Sequence, residues 1–302
     1  MLSLIKQIII ITLMLFVASA QAQHPVEVQK QAASGDYMAA LATFKRMPSR
    51  VATTASAVAA AKSAWSLGLA EIAKEEFDHA LNIASIKNDI SDSEKARIIF
   101  SRGIVEFQDQ NYQSSIVYAE KAVELVSEVG PLRSEINTLW AESLLKLNKQ
   151  NLAELKLLEA LNGVRAESKG DLHFLLATCQ MQLGKLDQAK KNFESIPLRH
   201  LKGPIAIRGL ANIAFETDKY EESIFWLNKG RQEFEDAFLD SWVDYALVKS
   251  YGELQDLDKL KETYDGAIGR YAPSDSWLIL LQAIAEQYLW QSNSKSKNTT
   301  GE

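Results

Sequence analysis

The side chains of this sequence best suited to metal binding or nucleophilic chemistry are four histidines and one cysteine. His24, His79, His173 and His200 lie far apart, and none stands in an HExxH or other metal-ligand spacing. Cys179 is the only cysteine, so it cannot form an intramolecular disulfide, and its apolar neighbours predict a buried small residue rather than a reactive thiol. The sequence therefore predicts neither a metal site nor a disulfide framework.

Motifs for catalysis are missing from the sequence as well. No GxSxG elbow, GxxxxGK[ST] loop or GxGxxG turn occurs. The adjacent carboxylates Glu75-Glu76 and Glu221-Glu222 are typical of solvated helix faces, because consecutive helical residues project in different directions. We predict that the protein is not an enzyme, has no catalytic residues and uses no cofactor.

The composition favours helices as the elements that carry these residues. Of 302 residues, 47% are apolar and 24% are charged, while only 14 are glycine and 6 are proline. A sheet with many tight turns would need more of the last two. The net charge of -6 provides no basic excess for binding nucleic acid. We expect a helical globular protein that has no nucleic-acid partner.

The first 22 residues have the three parts of a secretory signal peptide. Lys6 precedes the apolar run Ile8 to Val17, and small residues follow up to Ala22. This run is shorter than the roughly 20 residues that span a bilayer, so we expect cleavage after Ala22 rather than a retained anchor. The mature chain is expected to be exported without an integral membrane segment. Its destination would be the periplasm in a Gram-negative source, and secretion otherwise.

One block of sequence recurs seven times along the chain. Each copy has a turn residue, a polar pair, a small residue, a large apolar residue four positions later and a small or apolar residue three after that. The copies begin at the turn residues Gly35, Gly68, Gln110, Asn148, Gly184, Asp218 and Gln255. The small residue falls at Ala40, Ala73, Ser115, Ala153, Ala189 and Ser223, with Leu260 in the last copy, at spacings of 33, 42, 38, 36, 34 and 37. Apolar residues spaced by three and four predict amphipathic helices.

This pattern resembles the tetratricopeptide repeat, whose unit has 34 residues. The resemblance covers residues 24 to about 273. It implies an all-α fold, a right-handed superhelical solenoid of antiparallel helix pairs with a concave groove, and a non-catalytic scaffold that binds a protein or peptide partner. We divide the chain into a signal peptide (1–22), about seven repeats (23–273), a C-terminal capping helix (274–290) and a disordered polar tail (291–302).

The resemblance also implies which side chains line the groove, because the first helix of each pair faces it in tetratricopeptide arrays. The implied partner-binding residues are Trp65, Arg97, Phe100, Phe107, Glu142, Phe174, Arg208, Asn212, Trp242 and Tyr245. Aromatic anchors mixed with isolated charges suit an extended peptide or a partner helix. Two alternatives stay open: these residues form core shared between repeats, or the aromatic groove binds a glycan or solute in the periplasm.

Two further features are ambiguous in the sequence. Arg208 and Asn212 resemble half of a carboxylate clamp, but the next copy lacks the second half. The helix after the last repeat is apolar over most of its surface, although terminal repeats need a polar outer face. It is either buried against the last repeat or exposes a patch for self-association or partner docking. The expected patch residues, and hence a homo-oligomer contact, are Trp277, Leu281, Ile284 and Tyr288.

Overall fold

The computed structural model describes residues 24–299, with side chains described up to residue 290. This part of the chain forms fifteen α-helices and three short 3-10 helices, and it contains no strand. The helices group into two compact units that divide between Arg165 and Ala166. The expected signal peptide lies outside the described residues, so its cleavage stays a prediction.

Unit 1 contains four helix pairs. Their bounds are α1 (24–33) with α2 (Tyr37–Arg46), α3 (Thr54–Ser66) with α4 (Ala70–Lys87), α5 (Asp92–Gln108) with α6 (Tyr112–Glu124), and α7 (Pro131–Lys146) with α8 (Gln150–Leu161).

Unit 2 contains three helix pairs and one further helix. Their bounds are α9 (Lys169–Gln182) with α10 (Leu186–Glu194), α11 (Gly203–Glu216) with α12 (Tyr220–Glu233), α13 (Ser241–Glu253) with α14 (Leu257–Ala267), and α15 (Ser276–Thr299).

Each helix pair turns at one residue in the left-handed backbone region, and the seven turn residues are those at which the sequence copies begin. At the second turn, where Gly68 has φ +74°, the Gly68 N–H donates to the Trp65 carbonyl at 2.9 Å and the Leu69 N–H donates to the Ala64 carbonyl at 2.9 Å. These two bonds form a Schellman motif, which satisfies the last carbonyls of the first helix. The same pair of bonds recurs at the other six turns. The predicted placement of the turns is therefore confirmed.

Small residues let the two helices of a pair approach closely. Ala61 and Ala141 in unit 1 and Ala211 in unit 2 are fully buried. Gly103 holds the corresponding place in α5, where an added Cβ would lie 3.1 Å from the Tyr118 Cβ of α6. Phe77 fills the core between neighbouring helices of unit 1 and is fully buried, which stabilises the fold by roughly 1.5–3 kcal/mol.

The last helix is longer than the sequence predicts. α15 continues to Thr299, whereas a disordered tail was expected from residue 291. No glycine or proline interrupts residues 291–299, so the local sequence offers no helix breaker there. Between residues 24 and 299, no helix combines the length and the apolar character that a membrane span requires.

Candidate functional site

The first helices of the three pairs in unit 2 line an open, mainly apolar groove. Its lining residues come from α9, α10, α11 and α13 and are Phe174, Thr178, Met181, Phe193, Ile205, Arg208, Gly209, Asn212 and Trp242. The groove has a volume of about 350 Å³. This volume is at the lower end of the range for ligand sites in proteins.

Gly209 sets the depth of the groove at its centre. A Cβ at this position would lie 2.6 Å from the ring of Phe193, which is itself buried in the core of unit 2. Only glycine allows the α11 backbone to lie directly on this ring. Beside this point, Ile205 of α11 remains 48% exposed. Gly209 and Ile205 therefore form an accessible apolar surface supported by a rigid core.

Arg208 is held in place by partners inside unit 2. Its guanidinium pairs with Asp240 and donates to the Ala237 carbonyl at 2.6 Å. The second carboxylate oxygen of Asp240 accepts a hydrogen bond from the Val243 N–H and caps α13. The guanidinium carbon also lies 5.4 Å from the Trp242 ring centroid, within cation–π distance. Arg208 therefore fixes the start of α13 and orients one wall of the groove.

The other polar side chains of the groove are also bonded within the protein. Asn212 donates from Nδ2 to the Glu216 carboxylate at 2.9 Å. Thr178 donates from Oγ1 to the Phe174 carbonyl at 2.9 Å. Arg208 and Asn212 thus have internal acceptors. The half of a carboxylate clamp that they resemble and the alternative of a glycan or solute site both stay predictions.

An aromatic cluster continues from the groove towards α15. The Phe215 ring lies 6.4 Å from Trp242 and 6.0 Å from Tyr245, measured between centroids. Tyr245 in turn lies 5.1 Å from Trp277. Lys249 places its ammonium 5.0 Å from the Phe215 ring. Tyr245, expected to line the groove, lies in this adjoining cluster instead.

The five expected groove residues of unit 1 have separate surroundings. Trp65 donates from Nε1 to Gln108 at 2.6 Å, and Phe107 packs its edge against Tyr112 at 5.4 Å. Phe100 packs against the core of α5, α6 and α7, while Arg97 is exposed on α5. A hollow of about 430 Å³ between α1 and α3 of unit 1 is lined mostly by alanine, serine and polar residues. It therefore lacks the large apolar side chains that line the groove of unit 2.

Glu142, the fifth of these residues, is half-buried in α7. Burial raises the pKa of its carboxyl above the ordinary value, and the nearby charge of Lys146 only partly opposes this effect. A half-buried carboxyl of this kind costs stability when it is ionised.

The expected self-association patch on α15 requires a correction. Leu281 and Tyr288 are buried, so they cannot belong to an exposed patch. The Tyr288 ring packs on Gly252 of α13, where an added Cβ would lie 2.3 Å away, and its hydroxyl donates to Glu253 at 2.8 Å. Ile284 is partly buried against the same core, and Trp277 is 38% exposed. The helical spacing of these residues is confirmed, because they share one face of α15. That face packs on the last repeat instead of forming an exposed patch.

His173, His200 and Cys179 are hydrogen-bonded, packed or buried within unit 2. His173 lies in hydrogen-bond contact with Asn192 at 2.8 Å, and the His200 ring packs against Gly170. Cys179 is fully buried, which confirms its predicted role as a small core residue. Within residues 24–299, no group of three or more His, Cys, Asp or Glu side chains is arranged to hold a metal ion.

The register that the resemblance implies places seven of the nine lining residues on the groove side of their helices, and the structure brings them together: Phe174, Thr178, Met181, Ile205, Arg208, Asn212 and Trp242. The register missed Gly209 and the contribution of Phe193. A glycine in the middle of an otherwise apolar helix is the signal that could have identified Gly209, because such a glycine marks a close approach.

Comparisons with known proteins show the fold alone. No family model and no curated protein matches the sequence. Among solved structures, the C-terminal part of a TPR repeat-containing protein from Cytophaga hutchinsonii is similar with a TM-score of 0.64 and 11% identity, over 84% of this chain and 98% of that chain. The Pseudomonas aeruginosa protein pilF has a TM-score of 0.53 and 17% identity, over 76% of this chain and 96% of that chain. PilW, described as a widely conserved type IV pilus biogenesis factor, has a TM-score of 0.51 and 13% identity, over 76% and 98%.

The seven Schellman turns and the similar solved structures indicate the same fold. The chain has the all-α fold of a tetratricopeptide-repeat protein, as the sequence predicts.

Proposed function

We propose that the protein is a non-catalytic interaction scaffold that binds a peptide, or a segment of a partner protein, in the groove of unit 2. The observation that carries this proposal is the groove itself. Its walls are large apolar side chains that stay accessible to solvent, and internal bonds hold its polar side chains in fixed positions. A preformed apolar surface of this kind loses little conformational entropy on binding.

Repeat architecture supports the same function. A tetratricopeptide pair buries its apolar stripes against its neighbours, so the first helices of successive pairs present their remaining side chains side by side. In unit 2, α9, α11 and α13 do this and together form one surface from three repeats. Peptides and partner helices bind to such surfaces through a few buried anchors.

Site-specific photocrosslinking in cells of the source organism tests the proposal. A photoreactive phenylalanine analogue replaces Ile205, which lines the groove and is partly exposed, or Phe225 of α12, which is 56% exposed and outside the groove. We expect a discrete protein adduct at Ile205 and none at Phe225. An absence of adducts at Ile205, or the same adducts at both positions, contradicts the proposal.

The setting we propose is the cell envelope, with export directed by residues 1–22. This part of the proposal rests on Lys6, the apolar run and the small residues before Ala22. Its test is N-terminal sequencing of the protein recovered from fractionated cells. We expect a mature chain that begins at Gln23 in the exported fraction, and a chain that retains residues 1–22 in the cytoplasmic fraction contradicts export.

A further inference from the structure

We infer that the groove of unit 2 binds an internal, uncharged segment of its partner through one large apolar side chain seated beside Gly209, and that it does not recognise a terminal carboxylate. This inference rests on the proposed function, because it names the chemistry of the segment that the groove would bind. Three properties of the groove carry it: the internal bonds of its polar groups, the pairing of its one charged lining residue, and a mainly apolar lining that fits a large side chain.

The polar side chains of the lining already have acceptors inside unit 2. Arg208 donates from Nη2 to Ala237 and Asp240, Asn212 donates to Glu216, and Thr178 donates to Phe174. A ligand carboxylate would meet a guanidinium whose charge is already paired with Asp240, so its binding would gain little and would desolvate the incoming charge.

Arg208 is the one charged side chain among the lining residues of this groove, and its charge is paired. The positive charge of Arg208 is paired with Asp240, whose other oxygen caps α13, so the pair is fixed by the fold rather than by a ligand. Lys202 places its ammonium over the Phe174 ring at 5.1 Å and is not among the lining residues. A neutral apolar surface is complementary to a neutral apolar segment, because burying an unpaired charge on it costs free energy.

The shape of the groove selects a side chain rather than a chain end. The Phe193 ring packs directly on the α11 backbone at Gly209, and Ile205, Met181 and Trp242 line the groove beside this apolar contact. A groove of about 350 Å³ accommodates one bulky anchor and its backbone. Leucine, isoleucine, methionine, phenylalanine or tryptophan meets this description.

Selection from a displayed library of random 12-residue peptides, with the purified protein as bait, tests the inference. We expect the selected peptides to share one large apolar residue at an internal position. Each peptide is then synthesised with an amidated and with a free C-terminus, and its affinity is measured by fluorescence anisotropy at low and high salt. We expect the two termini to bind equally within about twofold and the affinity to depend little on salt. Replacing the shared residue by alanine should weaken binding about tenfold or more.

Two matched variants locate the binding. Ile205→Asp places a charge in the groove, whereas Leu201→Asp places one at a highly exposed aliphatic residue outside it. We expect about a tenfold or greater loss of affinity for Ile205→Asp and less than about twofold for Leu201→Asp. Circular dichroism confirms that both variants fold, and Ile205→Ala replaces the first variant if it does not.

The outcomes separate the two proposals. Peptides that bind at Ile205 but require a free carboxylate, or bind much more weakly at high salt, overturn the inference and leave the scaffold function in place. Failure to select any peptide that depends on Ile205 overturns both.

Discussion

The left-handed turn at Gly68 offers a quantitative test of the repeat architecture. Gly68 has φ +74°, and an added Cβ would meet no heavy atom within 4 Å. Gly68→Ala therefore introduces only backbone strain, which costs about 1–2 kcal/mol for an L-residue in this region. The lower entropy of the unfolded chain offsets about 0.4–1 kcal/mol of this cost. We expect a net loss of about 1 kcal/mol in the free energy of unfolding.

Two substitutions in the same unit serve as controls. Gly130 has φ -179°, an extended conformation open to any residue, and an added Cβ there would also meet nothing within 4 Å. Gly130 is the N-cap of α7, so Gly130→Ala should leave stability nearly unchanged, because the lower entropy of the unfolded chain offsets the weaker capping by alanine. Gln110 has φ +62° at the equivalent turn of the next repeat, so Gln110→Gly should stabilise the protein by relieving the same strain.

Urea unfolding followed by far-UV circular dichroism measures the stability of all three variants. Their effects can be compared directly, because the three positions lie in unit 1. The reasoning is refuted if Gly68→Ala is no more destabilising than Gly130→Ala, or if Gln110→Gly destabilises the protein.

Three further predictions concern buried polar groups of unit 1. The side-chain amide of Asn137 is buried and has no hydrogen-bond partner within residues 24–290, so Asn137→Leu should raise the free energy of urea unfolding by about 1–3 kcal/mol; a loss of stability would contradict this. The pKa of Glu142 is raised, so its contribution to the free energy of unfolding is fully present below the unfolded pKa and is lost as pH rises through the folded pKa. Glu142→Gln should therefore raise the melting temperature at about pH 7 and change it little at about pH 4, and an equal effect at both would disprove the assignment. Burial alone would raise the pKa of Glu106, but hydrogen bonds from Arg102 and Asn111 hold this pKa below its ordinary value. The stabilisation by ionised Glu106 is lost as pH falls through the folded pKa. As the pH is lowered, the melting temperature should therefore fall more for the wild-type protein than for Glu106→Gln, and an equal fall in both would refute this.

The positions of the helix pairs could be predicted from the sequence, because turn residues have local physical requirements. Gly35, Gly68 and Gly184 suit the left-handed conformation, and Asn148 and Asp218 tolerate it. These residues stand before the recurring pattern of a small residue, a large apolar residue and a small or apolar residue. Local conformation and helix periodicity therefore agree at five of the seven turns, which is the condition under which sequence reasoning succeeds. At Gln110 and Gln255 the recurring pattern alone indicates the turn.

Which side chains form the site could be predicted only in part. Residues spaced by three and four share a helix face, but this spacing fits a core face and a binding face equally well. Tyr288 illustrates the ambiguity, since the sequence leaves open whether its aromatic ring is buried or exposed, and in the structure the ring packs on Gly252. The partner of Arg208 was also hidden, because Asp240 is 32 residues away in the chain and reaches it only through the fold.

The central claim is that a partner segment binds in the groove of unit 2, and NMR of ¹³C-labelled methionine methyl groups tests it most directly. The described residues contain three methionines: Met181 lines the groove, Met38 is exposed on α2 of unit 1, and Met47 is buried in unit 1. During titration with a peptide selected as described above, the account predicts that the Met181 signal shifts in a saturable way while the other two stay fixed. Binding that moves the Met38 signal and leaves Met181 unchanged would contradict the account.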